Sequence, residues 1–302
     1  MSIKAISLED VDKSFGSVRA VEGLSVRVPE GSIYGFLGPN GAGKTTTLRM
    51  IMDIIRPDRG RIEVLGCRST AAAKDRIGYM PEERGLYRKM TVGRVLNYFA
   101  AIKGVNSKKI STVVPEWLER VELDGWAGKK VEELSRGMHQ KLQFAVTAVS
   151  NPALLILDEP FSGLDPVNLD LLKGIILDMQ KRGKTIVFST HVMHEAEKLC
   201  DYILLINKGK VVVDGTLEQI RSGWPSNTVS AELRGEADFV ERLEMVSHVS
   251  CAAGRMEITL AEGADPQELL RALADRVRVQ SFEVKAPSLH EIFVKLVGKN
   301  DG

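Results

Sequence analysis

The chain has 302 residues, 44% hydrophobic and 27% charged, with 41 Lys/Arg against 40 Asp/Glu. That length predicts one large domain with a smaller one, or two of similar size, and the composition excludes wholesale disorder, a collagen-like fibre and a disulfide scaffold. Near-neutral charge leaves no electrostatic footprint for nucleic acid, and no apolar run approaches the roughly 20 residues of a membrane-spanning helix.

Along the chain, Leu24, Val26 and Val28 alternate with polar residues, which predicts a half-buried antiparallel strand. Residues 32–37, 154–157 and 185–189 read instead as continuous buried strands of a parallel core. Past Ser135, apolar side chains at 138, 142, 145 or 146, and 149 follow helical spacing, and Leu172, Ile175, Ile176 and Met179 do the same within 168–181. Residues 202–214, broken by Asn207-Lys208-Gly209, read as a hairpin. Strands alternating with helices over the first two-thirds predict an α/β fold with a central sheet.

Gly, Pro and Ser cluster in 222–227, a linker that divides the chain into 1–222 and 223–302. Beyond it come a strand (228–233), helix (238–244), two strands (246–252 and 256–260), helix (266–274) and strand (277–284). That order is βαββαβ, a small ferredoxin-like α+β domain, with a last helix over 289–297. Cys67, Cys200 and Cys251 form neither a metal motif nor an even disulfide set, which fits a reducing cytosol.

Gly38-Pro39-Asn40-Gly41-Ala42-Gly43-Lys44-Thr45-Thr46 matches the phosphate-loop pattern and sits between a strand and a helical run, the context the motif needs. Its glycines let backbone N–H groups wrap a polyphosphate, and the helix N-terminus adds its positive end. Lys44 would neutralise the β- and γ-phosphates, and the Thr45 hydroxyl would ligate Mg²⁺. The strand 154–157 ends in Asp158-Glu159, at the mouth where open α/β sheets bind ligands. Asp158 is placed to hold Mg²⁺ through water and Glu159 to orient or activate the attacking water. By itself such a strand end also reads as a solvated acidic turn.

With these motifs, Leu134-Ser135-Arg136-Gly137-Met138-His139-Gln140 resembles the signature of ABC-type ATPases. Ser162-Gly163-Leu164-Asp165 resembles the D-loop, and His191 the switch histidine. Over about residues 4–222 the chain resembles an ABC transporter ATP-binding subunit of the bacterial sodium-ion or drug-export type. The resemblance implies a P-loop cassette with a mixed central sheet, an antiparallel β subdomain and a helical subdomain at about 88–150. It also implies ATP and Mg²⁺ as cofactors, and a head-to-tail dimer with a second copy or a related subunit. In that dimer Ser135 and Gly137 touch the opposite ATP, Asp165 bridges the interface and His191 stabilises the γ-phosphate. Without a partner, Ser135 is a helix N-cap, His191 a bystander and 163–166 an ordinary turn. Phe15 resembles the adenine-stacking aromatic, against a core phenylalanine as the plain alternative.

Two departures stand out. Arg136 replaces the usual second signature glycine, and Glu82 stands where most members carry Gln, adding charge beside the Mg²⁺ it would contact. The resemblance further implies a separate transmembrane permease whose short cytoplasmic helix docks beside the 80–90 loop, made basic here by Arg84, Arg88 and Lys89. The chain would then be cytoplasmic, held on the inner face of the membrane through that permease. Rival readings are a soluble ABC-type ATPase in a non-transport process and a regulatory ATP-binding module. Only one cassette, no sustained heptads, and the presence of Lys44, Asp158, Glu159 and His191 weigh against them.

Overall fold

The computed structural model describes residues 4–298 apart from 69, 84, 225, 226, 253, 254 and 262; Arg84 and the linker residues Pro225 and Ser226 lie outside the described residues. Two compact units divide between Leu217 and Glu218. In the first, β1 (Lys4–Phe15) and β2 (Val18–Pro29) form a long antiparallel pair. Leu24, Val26 and Val28 turn inward from β2 and their neighbours outward, as the alternation predicts. The next strand, β3 (Ile33–Leu37), is buried at every position, and α1 (Lys44–Ile51) follows its loop. β4 (Arg59–Val64) then returns to pair with β1, giving the three-stranded order β2-β1-β4.

β5 (Ile77–Met80) leads into a helical layer of α2 (Val92–Ile102), α3 (Ser107–Arg120) and α4 (Arg136–Ala148). The chain returns through β6 (Leu154–Asp158), α5 (Pro166–Lys181), β7 (Thr185–Thr190), α6 (Met193–Leu199), β8 (Tyr202–Asn207) and β9 (Lys210–Thr216). The central sheet has the order β5-β6-β7-β3-β8-β9, parallel except for the β8–β9 hairpin. Its inner strands β3, β6 and β7 are buried at every position, which is why they are largely apolar runs in the sequence. Because β3 lies between β7 and β8, with β6 next to β7, the C-terminal ends of β3, β6 and β7 open onto one edge.

The second unit takes in α7 (Leu217–Ser222) from Glu218 onward. Ile220 is buried and Arg221 Nε donates to the Pro287 carbonyl, so this helix packs within the second unit. Then come β10 (Thr228–Arg234), β11 (Val246–Ala252), β12 (Arg255–Leu260), α8 (Pro266–Ala274), β13 (Arg278–Lys285) and α9 (Leu289–Gly298). The sheet order β11-β12-β10-β13, antiparallel throughout, is the spatial order of a ferredoxin-like βαββαβ unit. One element differs from expectation. The helix expected over 238–244 is reduced to a single 3₁₀ turn, Val240–Arg242. Val240 alone is fully buried there, and Leu243 is already extended toward β11, so no helical face is left to pack. Among the described residues, no helix is long and apolar enough to cross a membrane.

Candidate nucleotide site

The loop after β3 wraps tightly because two of its glycines have no room for a side chain. A Cβ on Gly43, whose φ is +106°, would lie 2.3 Å from the Ala20 carbonyl oxygen; one on Gly38 would lie 2.1 Å from that of Ile206. Lys44 folds back over the loop, with Nζ donating to the carbonyls of Gly38 (2.7 Å) and Pro39 (3.1 Å). Burial pulls the Lys44 pKa down, and the carboxylates of Glu159, Asp158 and Glu82 push the other way. A cleft of about 330 Å³ opens here, lined by Asn40 to Thr46, Glu82 and Glu159, with Val18 and Ala20 along one side.

The carboxylates arrive from β6. Asp158 is fully buried, and its Oδ1 accepts from Thr45 Oγ1 (3.1 Å) and Ser189 Oγ (2.5 Å). Its Oδ2 has no hydrogen-bond partner among the described residues. A buried carboxylate oxygen left open beside a hydroxyl is the hard-oxygen donor set that suits Mg²⁺ once a nucleotide's phosphates complete it. Glu159 takes a left-handed backbone (φ +50°), and its N–H donates to Ser189 Oγ at 3.0 Å. Its Oε1 lies 3.1 Å from His191 Nδ1 and 3.9 Å from Lys44 Nζ. Thus Lys44, Thr45, Asp158, Glu159 and His191 meet at the ends of three neighbouring strands, and Glu82 reaches the same cleft from the loop after β5.

Other expected residues lie outside that cleft. Ser135 caps α4, its Oγ accepting from Met138 N–H (3.3 Å), and Asp165 caps α5 through Asn168 N–H (3.0 Å), which holds the Asp165 carboxyl below its ordinary pKa. The two caps are close. Arg136 lies so near Gly163 that a Cβ there would meet its Nε at 2.8 Å, and Leu164 lies against Gly137. Arg136 therefore occupies space that the turn at Gly163 leaves free. Phe15 is 48% exposed, which removes the core alternative, and Lys13 Nζ sits 5.5 Å from its ring centre. It stands next to the hairpin turn, directly across from Val18, which lines one side of the phosphate cleft.

Sequence reasoning missed Ser189, Gln140 and Gln143, all nearly or fully buried. The two glutamines share α4 with Arg136, His139, Lys141 and Thr147, so nothing in the sequence marked them as the buried polar pair. Ser189, at the end of an apolar strand, carried no signal either.

In the helical layer, Tyr87, Met90, Arg94, Asn97, Tyr98, Ala101 and Ile110 line an open groove of about 650 Å³. Tyr87 and Tyr98 meet edge-on with ring centres 5.5 Å apart and remain half-exposed. The groove is aromatic and carries Arg94; Arg88 and Lys89, expected to define this face, are not among its lining.

A phosphate loop after a central parallel strand, with an acidic strand end beside it, defines a P-loop nucleoside triphosphatase. A family model described as "ABC transporter" matches residues 21–162, and one described as "ATP-binding protein DrrA1-3-like, C-terminal domain" matches 215–297. The chain is 39% identical to an uncharacterized ABC transporter ATP-binding protein, YhaQ, of Bacillus subtilis, over 97% of this chain and 98% of that protein. It is 36% identical to Nod factor export ATP-binding protein I of Rhizobium sp., over 99% of each. A solved structure described as an ATP-binding subunit of an ABC transporter superposes with a TM-score of 0.68 at 29% identity, over 73% of this chain and 93% of that one. The chain belongs to the ABC transporter ATP-binding proteins, the ATPase subunits of these transporters.

Proposed function

We propose that the chain binds Mg·ATP at the cleft after β3 and hydrolyses it to drive a separate membrane permease, as an exporter. The observation that carries this is the meeting of Lys44, Asp158, Glu159 and His191 at one edge of the sheet. Lys44 would turn from its own loop carbonyls to the β- and γ-phosphates. Thr45 and Asp158 would hold Mg²⁺, Asp158 directly or through water, with Glu82 close by. The metal supplies charge neutralisation at the phosphates when bound. Glu159 would accept the proton of the attacking water, and His191, in reach of the same carboxylate, would stabilise charge on the γ-phosphate.

Ser135, Gly137 and Asp165, grouped away from this cleft, fit a role on the nucleotide of a second copy or related subunit, with the α4 N-terminus facing its phosphates. Phe15 is free to stack on adenine. The aromatic groove around Tyr87 and Tyr98 suits an amphipathic helix of the permease, with Arg94 near its acidic or C-terminal end. The chain would then sit on the inner face of the membrane through that contact. The export direction is supported by similarity to the Nod factor export protein.

Co-expressing the chain with the membrane protein encoded beside it tests this. ATP hydrolysis should be stimulated in reconstituted vesicles, and Tyr98→Glu should abolish stimulation while leaving ATP binding intact. Equal hydrolysis with and without the membrane protein, together with failure to co-purify, would leave the rival soluble ATPase as the better reading.

A further inference from the structure

Helix α4 carries two glutamines one turn apart, Gln140 and Gln143, 3% and 4% exposed. Each uses its side-chain NH₂ in the same way. Gln140 Nε2 donates to the Glu159 carbonyl (3.2 Å) and the Pro160 carbonyl (2.9 Å). Gln143 Nε2 donates to the carbonyls of Pro81 (2.7 Å) and Glu83 (3.3 Å), the two residues flanking Glu82. Both amides thus grip the backbone of a loop that presents a carboxylate to the phosphate cleft. The Glu159 carbonyl also accepts from Ser162 N–H at 3.2 Å, so Gln140 adds to a turn already formed. Gln143 spans the Glu82 loop from outside, reaching the carbonyl on either side of Glu82.

The arrangement is costly for side chains with no other task. Gln143 Oε1 has no hydrogen-bond partner among the described residues, although the group is buried. Helix α4 packs on α2 and α3 of the helical layer and on β5 and α5 of the core. A helix in contact with both layers, and gripping both loops, moves them together.

We propose that Gln140 and Gln143 are positioning residues for ATP hydrolysis, a buried clamp by which α4 sets the places of Glu159 and Glu82. A displacement of the helical layer is passed to both carboxylates through these amides. The proposal rests on the reading of Glu159 and Glu82 as facing Mg·ATP.

The test uses the full-length chain with Gln140→Met and Gln143→Met, close in volume but without donors. Amide hydrogen exchange should quicken about tenfold at Glu82 and Glu83 in Gln143→Met and at Glu159, Phe161 and Ser162 in Gln140→Met, each leaving the other loop unchanged. In both, kcat should fall about tenfold with KM for ATP moving less than about threefold, since positioning is lost and not binding. Gln143→Glu adds a readout that a merely structural role would not move. Its introduced carboxyl can donate to the Pro81 carbonyl only when protonated, so its activity relative to the parent should fall as pH rises from about 5.5 to about 8. For Gln143→Met that ratio should stay flat. Parent-like exchange and kcat in both Met variants, or a flat Gln143→Glu ratio, would overturn the clamp. Glu159→Gln assayed in parallel separates the two ideas: undiminished hydrolysis there sinks the site reading, while the exchange data still judge the clamp.

Discussion

The Nδ1 atom of His191 lies 3.1 Å from Oε1 of Glu159, joining residues just beyond the ends of β7 and β6. The two strands pair in parallel, Asp158 opposite Ser189, so the register of the sheet alone brings the residue after each strand to the same edge. In the proposed reading this carboxylate, with His191 on one side and Lys44 Nζ 3.9 Å away on the other, takes the proton of the attacking water.

Replacing Glu159 by Gln keeps its size and removes its basicity. Hydrolysis is expected to fall at least about 100-fold, the low end for a lost general base, while ATP still binds. Sedimentation with ATP should then show a dimer that persists. Near-normal phosphate release by this variant would take Glu159 out of the catalytic role.

Gly43→Ala puts a Cβ 2.3 Å from the Ala20 carbonyl oxygen at a backbone φ of +106°. The strain is expected to cost about 1–3 kcal/mol of stability and to spoil the loop for nucleotide. Thermal melts with and without ATP report both effects, and an unchanged ATP-dependent rise in Tm would contradict the second.

Ser189→Ala removes the donor to Asp158 Oδ1 and the acceptor for Glu159 N–H at once. Leaving these buried groups unmatched should cost about 1–3 kcal/mol. The Mg²⁺ concentration for half-maximal hydrolysis should rise, because Asp158 loses one of the two hydroxyls that orient it. Titrating Mn²⁺ binding by paramagnetic resonance in the same variant gives a readout independent of turnover.

In the second unit, Glu291 accepts from Ser288 N–H (2.7 Å) and Oγ (2.9 Å), and Ser288 Oγ accepts from Glu291 N–H (3.2 Å), closing a capping box on α9. The Ser288 N–H bond, foremost, holds the Glu291 carboxyl below its ordinary value of 4.5. A depressed folded-state pKa adds stability above the unfolded value and loses it as pH falls through the folded one. Glu291→Gln should therefore cost somewhat at pH 7, under about 1 kcal/mol for so exposed a group, and progressively less in acid. Urea unfolding at neutral and acidic pH measures the difference; a gap that widens in acid would reverse the sign.

Much of the fold was legible where periodicity was strong. The α8 range matches its expected span because Asp265 caps it, Pro266 starts it and Leu269 and Leu273 recur at helical spacing. The 238–244 helix was not, because aromatic and β-branched residues there serve one turn and an approach to β11 equally well. The phosphate loop was legible because Gly, Lys and Thr at those spacings answer to local backbone geometry.

By itself, the sequence determined the parts that depend on neighbours along the chain: the loop from Gly38 to Thr46, the acidic end of β6, and the linear order of strands and helices. Only the tertiary structure decided what those parts face. Ser189 under the two carboxylates, Gln140 and Gln143 across the loops of Glu159 and Glu82, and Arg136 over Gly163 are contacts between residues distant in sequence. A hydrogen bond between such residues leaves no period in the chain that could announce it. It exists because strand register and helix packing bring a donor to within about 3 Å of an acceptor that water can no longer reach.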